Sequence, residues 1–253
     1  MIWISALVLL FVITPTFNVD AASITYNSSK FCAIRVDGEI DKSTYAGLVN
    51  LYKSINKEAD NCTNRTFYLA LNSNGGDVEA AIKIGEFIRE NRFTTIVDQK
   101  SNCVSACVFP LLGGVNRIVI GNIGLHRPFL NKYSNSETES KTAYEKNNQL
   151  ILNYLRRMNI TDTLLNAMNS VPSGQVRWIS DDKQLSELNL TGEDPVYADE
   201  RDSSNAKKWK ISKQEYYLRE QRVETICADD RRNFASNPSQ YGKCLTDVMS
   251  GRR

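Results

Sequence analysis

Phe67-Tyr68-Leu69-Ala70-Leu71, followed at once by Asn72-Ser73-Asn74-Gly75-Gly76-Asp77 and then by Val78-Glu79-Ala80-Ala81-Ile82, is the stretch that decides the fold. Its first five residues form an unbroken apolar run of the kind found in strands covered on both faces. The glycine pair supplies a tight turn, because glycine reaches backbone angles that a Cβ forbids. From Val78 to about Arg92 an apolar stripe follows at Val78, Ala81, Ile82, Gly85 and Ile88, widened by Ile84 and Phe87. Glu79, Lys83, Glu86 and Glu90 fall mainly on the opposite side, so the segment reads as a helix with one face on a core.

The same step recurs on both sides. Phe31 to Val36 predicts a short strand, Asp37-Gly38-Glu39-Ile40-Asp41 a turn, and Leu48, Leu51 and Ile55 a helix over Thr44 to Ile55. Phe93 to Val97 predicts a third strand, and Ser105 follows in a second strand-to-helix turn. Arg117 to Ile120 predicts a fourth strand with His126 just after it, and Thr142 to Met158 a long helix carrying Tyr144, Leu150, Ile151, Tyr154 and Leu155. This alternation describes an α/β domain with its chemistry along one edge of the sheet. From about Asp199 the character changes. Ala206 to Arg222 is rich in Lys, Arg and Tyr, the pattern of a solvated helix face, and the tail carries Cys227 and Cys244. The expected organisation is a signal segment over 1–22, a domain over 23–198 and a basic helical extension over 199–253.

Composition narrows the class. A chain of 253 residues, 42% apolar and 24% charged, is ordinary globular material. Its formal net charge of +2 implies no nucleic acid or other polyanionic partner. Ile2 to Thr14 is an apolar core segment, and Val19-Asp20-Ala21-Ala22 offers small residues for cleavage, which predicts export to a periplasm or secretion. The segment before that core has no Lys or Arg, so an uncleaved anchor in the membrane is the alternative. No later stretch approaches the roughly 20 apolar residues of a membrane span.

Export gives the six cysteines a meaning, since an even number in an oxidising compartment predicts disulfides. With one histidine and no CxxC spacing, neither a metal site nor a cofactor is expected. Three pairs are predicted. Cys32 opens one strand and Cys62 shortly precedes the next. Cys227 and Cys244 are the only pair in the tail. Cys103 and Cys107 stand one helical turn apart, at about the 6 Å a disulfide spans.

That last pair flanks Ser105, and 21 residues later comes the only histidine, His126. A serine becomes a nucleophile when a base removes its proton, and here no other imidazole can serve. Free N–H groups at a helix start and in the Gly-Gly turn can stabilise an oxyanion. Taken singly, Ser105 fits a helix cap, His126 a satisfied core residue and the glycines an ordinary turn. Their common place after strands sets them apart.

Gly38-Glu39-Ile40-Asp41, Asn72-Ser73-Asn74-Gly75-Gly76-Asp77, Ser105-Ala106-Cys107 and Gly124-Leu125-His126-Arg127-Pro128 together resemble the proteolytic subunit of the Clp protease, and more closely its exported bacterial relatives. The resemblance covers roughly Phe31 to Leu190, with Arg177-Trp178-Ile179-Ser180 through Leu185, Leu188 and Leu190 similar to the segment that closes that domain. It implies the ClpP/crotonase fold, a stack of ββα units, here with a small helical C-terminal appendage. It also implies Ser105 as nucleophile, His126 as base, and the N–H groups of Gly76 and Ala106 as oxyanion hole. Peptide or unfolded protein is the implied substrate, and a homo-oligomer the implied assembly.

Two positions depart from that pattern. Asn74 stands where the family usually has proline, and Val176 where it has the Asp that orients the imidazole, which valine cannot do. Ser173, Gln175 or a backbone carbonyl is a candidate substitute, as are Asp181 and Asp182 folding back. The leading expectation is an exported serine peptidase working through an acyl-enzyme. A catalytically weak peptide-binding or assembly module and a crotonase-type acyl-CoA enzyme are the alternatives.

Overall fold

In the computed structural model, which describes residues 21–27, 32–57, 66–128, 136–233 and 236–253, strands and helices alternate as ββα steps. Strands β1 (Ser23–Asn27) and β2 (Cys32–Asp37) lead into α1 (Lys42–Lys57), and β3 (Phe67–Asn72) leads into α2 (Val78–Glu90). Next, β4 (Thr94–Val97) and β5 (Asn102–Val104) run into a 3-10 turn, Ser105–Cys107, and α3 (Val108–Gly113). β6 (Asn116–Val119) and β7 (Asn122–Leu125) precede the long α4 (Glu137–Arg157). Then come α5 (Thr163–Asn169), β8 (Arg177–Ile179), α6 (Asp182–Glu187) and β9 (Gly192–Glu193). Most of the expected export segment, residues 1–20, and Cys62 lie outside the described residues.

The described strands form two sheets. The larger has the order β1-β2-β3-β4-β6-β9, with β2, β3, β4 and β6 parallel and antiparallel strands at both edges. The smaller has the order β5-β7-β8, with β5 and β7 parallel and β8 antiparallel. Ser73 joins them. Its N–H donates to Asn102 O at 2.8 Å and its carbonyl accepts from Val104 N–H at 2.9 Å, so the chain leaving β3 pairs at once with β5.

β3 corrects one expectation. Phe67, Leu69 and Leu71 are buried, but Tyr68, Ala70 and Asn72 are only half-buried, so one face is covered and not two. The cause is polar neighbours. Parallel register puts Ala70 beside Arg35 and Asn72 beside Asp37, where Arg35 pairs with Asp37 at 3.2 Å and Asp98 at 2.6 Å. Two boundaries also differ. α4 starts at Glu137 because Ser136 accepts a capping hydrogen bond from Glu139 N–H, and β7 intervenes between the fourth predicted strand and His126.

The core lies between the larger sheet and the helices. α2 buries Ala80, Ala81, Ile82, Ile84, Gly85 and Ile88, while every residue of α3 is buried. Gly85 permits this closeness, since a Cβ there would lie 2.0 Å from the Tyr154 hydroxyl. That hydroxyl is fully buried and donates to Phe109 O at 2.5 Å.

Past β9 the chain continues as α7 (Pro195–Trp209), α8 (Lys213–Ile226), α9 (Ala228–Arg232) and α10 (Pro238–Met249). α7 runs unbroken through the boundary expected at residue 198, and a second small core begins at Ala206 with Tyr216, Val223, Cys227, Cys244, Val248 and Met249. Asp194 moors α7 by capping it and pairing with Arg89 at 2.5 Å. Burial works against the Asp194 carboxylate, but the hydrogen bond from Asn159 and the contact with Arg89 outweigh it and hold its pKa below the usual range. No described helix is long and apolar enough to cross a membrane.

Candidate active site

Ser105 starts its turn with φ at +56°, a left-handed conformation that costs a non-glycine residue about 1 kcal/mol or more. The other described non-glycine residues with positive φ, Arg92, Asn159, Asn189 and Lys210, all sit just past helix ends, where that conformation is an ordinary stop. Ser105 alone uses it to begin a turn. A strained strand-to-helix corner pushes a side chain clear of its neighbours, the arrangement a nucleophile needs.

Two features hold the corner. Cys103 and Cys107 form a disulfide with Cα atoms 5.2 Å apart, bridging directly across Ser105. Gly75 packs on the other side, where an added Cβ would lie 2.8 Å from Ser105 Cβ and 3.1 Å from Ala106 N. The glycine turn is itself pinned. Ile40 N–H donates to Gly75 O and Asp77 N–H to Ile40 O, both at 2.8 Å, while Ser73 Oγ accepts from Gly75 N–H at 3.1 Å. With φ at +109° and +136°, Gly75 and Gly76 take angles that L side chains rarely adopt. These bonds fix the turn without a proline at position 74. The N–H groups of Gly76 and Ala106 donate no hydrogen bond among the described residues.

His126 follows the end of β7, the parallel neighbour of β5. Val104 pairs with Gly124, so Ser105 and His126 leave the same ends of strands roughly 4.8 Å apart. His126 is 6% exposed, and its Nδ1 lies 2.9 Å from the carbonyl oxygen of Arg127. A carbonyl only accepts, so Nδ1 carries the proton in this contact and the lone pair is on Nε2. Ser105 Oγ makes no hydrogen bond among the described residues. Catalytic hydrogen bonds are often long before substrate arrives.

The remaining candidates are spread out. Antiparallel register pairs Leu125 with Arg177, so one step further sets Val176 opposite His126, its side chain over Gly124. Gln175 donates its N–H to Pro172 O in an exposed turn that also holds Ser173. Asp181 lies past the other end of β8, where its carboxylate caps α6, and Asp182 is in that helix's first turn. Arg127 escaped the sequence reading as a structural part. Its guanidinium donates twice to Asn169 O, at 3.1 and 2.9 Å, and its N–H donates to Val171 O. Among the described residues no group of His, Cys, Asp and Glu converges as a metal site.

Of the predicted disulfides, Cys103–Cys107 and Cys227–Cys244 are formed, the latter with Cα atoms 5.9 Å apart. Cys32 is also disulfide-bonded, while its expected partner Cys62 falls outside the described residues.

No family model matches the chain, and no curated protein matches it in sequence. Among solved structures the chain is similar to a mutant of the 1510-N membrane-bound stomatin-specific protease. That match has 17% identity over 63% of this chain and 75% of the other, with a TM-score of 0.43. It is similar also to a mutant of ClpP1 from Listeria monocytogenes, at 16% identity over 63% of this chain and 88% of the other, with a TM-score of 0.48. The likeness is one of fold.

The brace across Ser105 yields a prediction. A Cys103→Ala, Cys107→Ala double variant keeps the other disulfides but lets the strained corner relax. Losing about 1–2 kcal/mol of preorganisation should slow reaction of Ser105 with a fluorophosphonate roughly 5- to 30-fold. Labelling rates measured beside a thermal melt decide it. A folded variant that labels at the parent rate would mean the disulfide does not position the serine.

Proposed function

We propose that this chain is an exported serine peptidase of the Clp-like class, acting on peptide or unfolded protein and assembling as a homo-oligomer. The observation that carries the reading is the left-handed Ser105 at a strand-to-helix corner, packed on Gly75 beside two N–H groups that donate nowhere among the described residues. In this mechanism Ser105 Oγ attacks the peptide carbonyl while His126 Nε2 takes its proton. The N–H groups of Gly76 and Ala106 receive the oxyanion, where each donor is worth about 10²- to 10³-fold in rate. The imidazolium then gives its proton to the leaving amine, and water activated by His126 hydrolyses the acyl-enzyme. Two disulfides formed within the described residues fit an oxidising compartment outside the cytoplasm.

Val176 opposite His126 favours a second reading, in which the same site binds peptide without cleaving it. A fluorophosphonate separates the two. The peptidase reading expects one labelled site, mapping to the peptide that holds Ser105, with labelling that drops sharply in His126→Ala. An unlabelled protein that still binds unfolded polypeptide is the result expected of the second reading.

A further inference from the structure

We infer that the carbonyl of Arg127 takes the place of the missing third triad member, with Arg127 as the positioning residue that holds it on His126; this rests on the peptidase reading. A carboxylate in that role orients the ring, fixes the proton on Nδ1 and stabilises the imidazolium. Val176, which occupies the facing position, can do none of these. The carbonyl of Arg127 stands 2.9 Å from Nδ1 and, as a pure acceptor, selects the tautomer that leaves Nε2 as the base.

Such a carbonyl is useful only if it is held. Three restraints act on it. Arg127 N–H donates to Val171 O at 2.9 Å, and its Nε and Nη2 both donate to Asn169 O, so the residue is tied both to the end of α5 and to the turn that follows it. Tyr144 from α4 in its turn fixes the end of α5, its hydroxyl donating to Asn169 Oδ1 at 3.0 Å. Pro128 then confines Arg127 to extended backbone, which limits where its carbonyl can point. A neutral carbonyl stabilises an imidazolium less than a carboxylate does, so the site is expected to be slower than one with an Asp.

His126 is the only histidine, so ring-nitrogen NMR of the full-length protein reports this residue without overlap. The parent, at a pH where the ring is neutral, should show the Nδ1–H tautomer. Arg127→Ala should shift it toward a mixture and slow fluorophosphonate labelling of Ser105 about 5- to 10-fold. Val176→Asp added to Arg127→Ala should restore both, because a carboxylate opposite His126 can take over Nδ1 without the clamp. A purely structural Arg127 gives no such rescue. An Nε2–H tautomer in the parent overturns the inference even if no variant folds, and so does a tautomer and labelling rate unmoved by Arg127→Ala. A parent with the Nδ1–H tautomer and no labelling would remove the peptidase reading instead and leave the positioning intact.

Discussion

Ser105→Ala should abolish hydrolysis of an unfolded protein substrate, a loss on the order of 10⁴-fold or more, while leaving the fold in place. In the proposed mechanism Oγ is the atom that forms the acyl-enzyme, and the residues on either side of it, Val104 and Ala106, carry no hydroxyl. Stability should change little. Alanine and serine carry the same backbone penalty at φ of +56°, and Ser105 Oγ makes no hydrogen bond among the described residues that the substitution would break. Glycine relieves that penalty, so Ser105→Gly should melt no lower than Ser105→Ala if the corner is strained. Hydrolysis measured beside thermal melts tests both points. Persistent cleavage by the alanine variant would sink the acyl-enzyme mechanism, whatever the melts show.

The parts of the site that the chain reveals are those with strong local chemistry. A glycine pair between an apolar run and an amphipathic helix marks β3, its turn and α2, because each of the three has its own spacing or backbone requirement. Cys103 and Cys107 reveal their pairing by their close spacing, although the structure reaches it differently, with Cys103 in β5 and the tight corner at Ser105 bringing Cys107 back to it. The smaller sheet is hidden. β5, β7 and β8 have only three or four residues each, too few to display alternation, and their partners are distant in sequence. Without β7 and β8 the position of Val176 opposite His126 cannot be derived, so candidates as far apart as Gln175 and Asp181 stay open. Arg127 is hidden for a different reason. Its role lies in a main-chain carbonyl, which every residue has, and in contacts to Asn169 and Val171 that only the tertiary structure brings near.

Gly76→Ala should cost both stability and reactivity, and the two losses have one cause. At φ of +136° the backbone occupies a region that L residues rarely enter, and the new Cβ would lie 2.1 Å from Ile40 O and 2.9 Å from Ile40 N. Those are backbone atoms already committed, since Ile40 bonds to Gly75 O and to Asp77 N–H. Neither side can yield cheaply, so the turn must rotate. A penalty of about 3 kcal/mol follows from strain and overlap together, lowering the melting temperature by roughly 6–12 °C. In the proposed mechanism the rotation would also turn the Gly76 N–H away from the oxyanion, which should slow labelling about 10²-fold. Gly174 and Gly242 are the controls. Neither has a positive φ and a Cβ on either meets nothing within 4 Å, so alanine at Gly174 should stay within about 0.5 kcal/mol of the parent, and alanine at Gly242, inside α10, should if anything stabilise by up to about 1 kcal/mol. If Gly76→Ala melts with those controls, the turn is not pinned by Ile40. If it melts low yet labels at the parent rate, the Gly76 N–H plays no part in holding the oxyanion, because the rotated turn would have moved that donor.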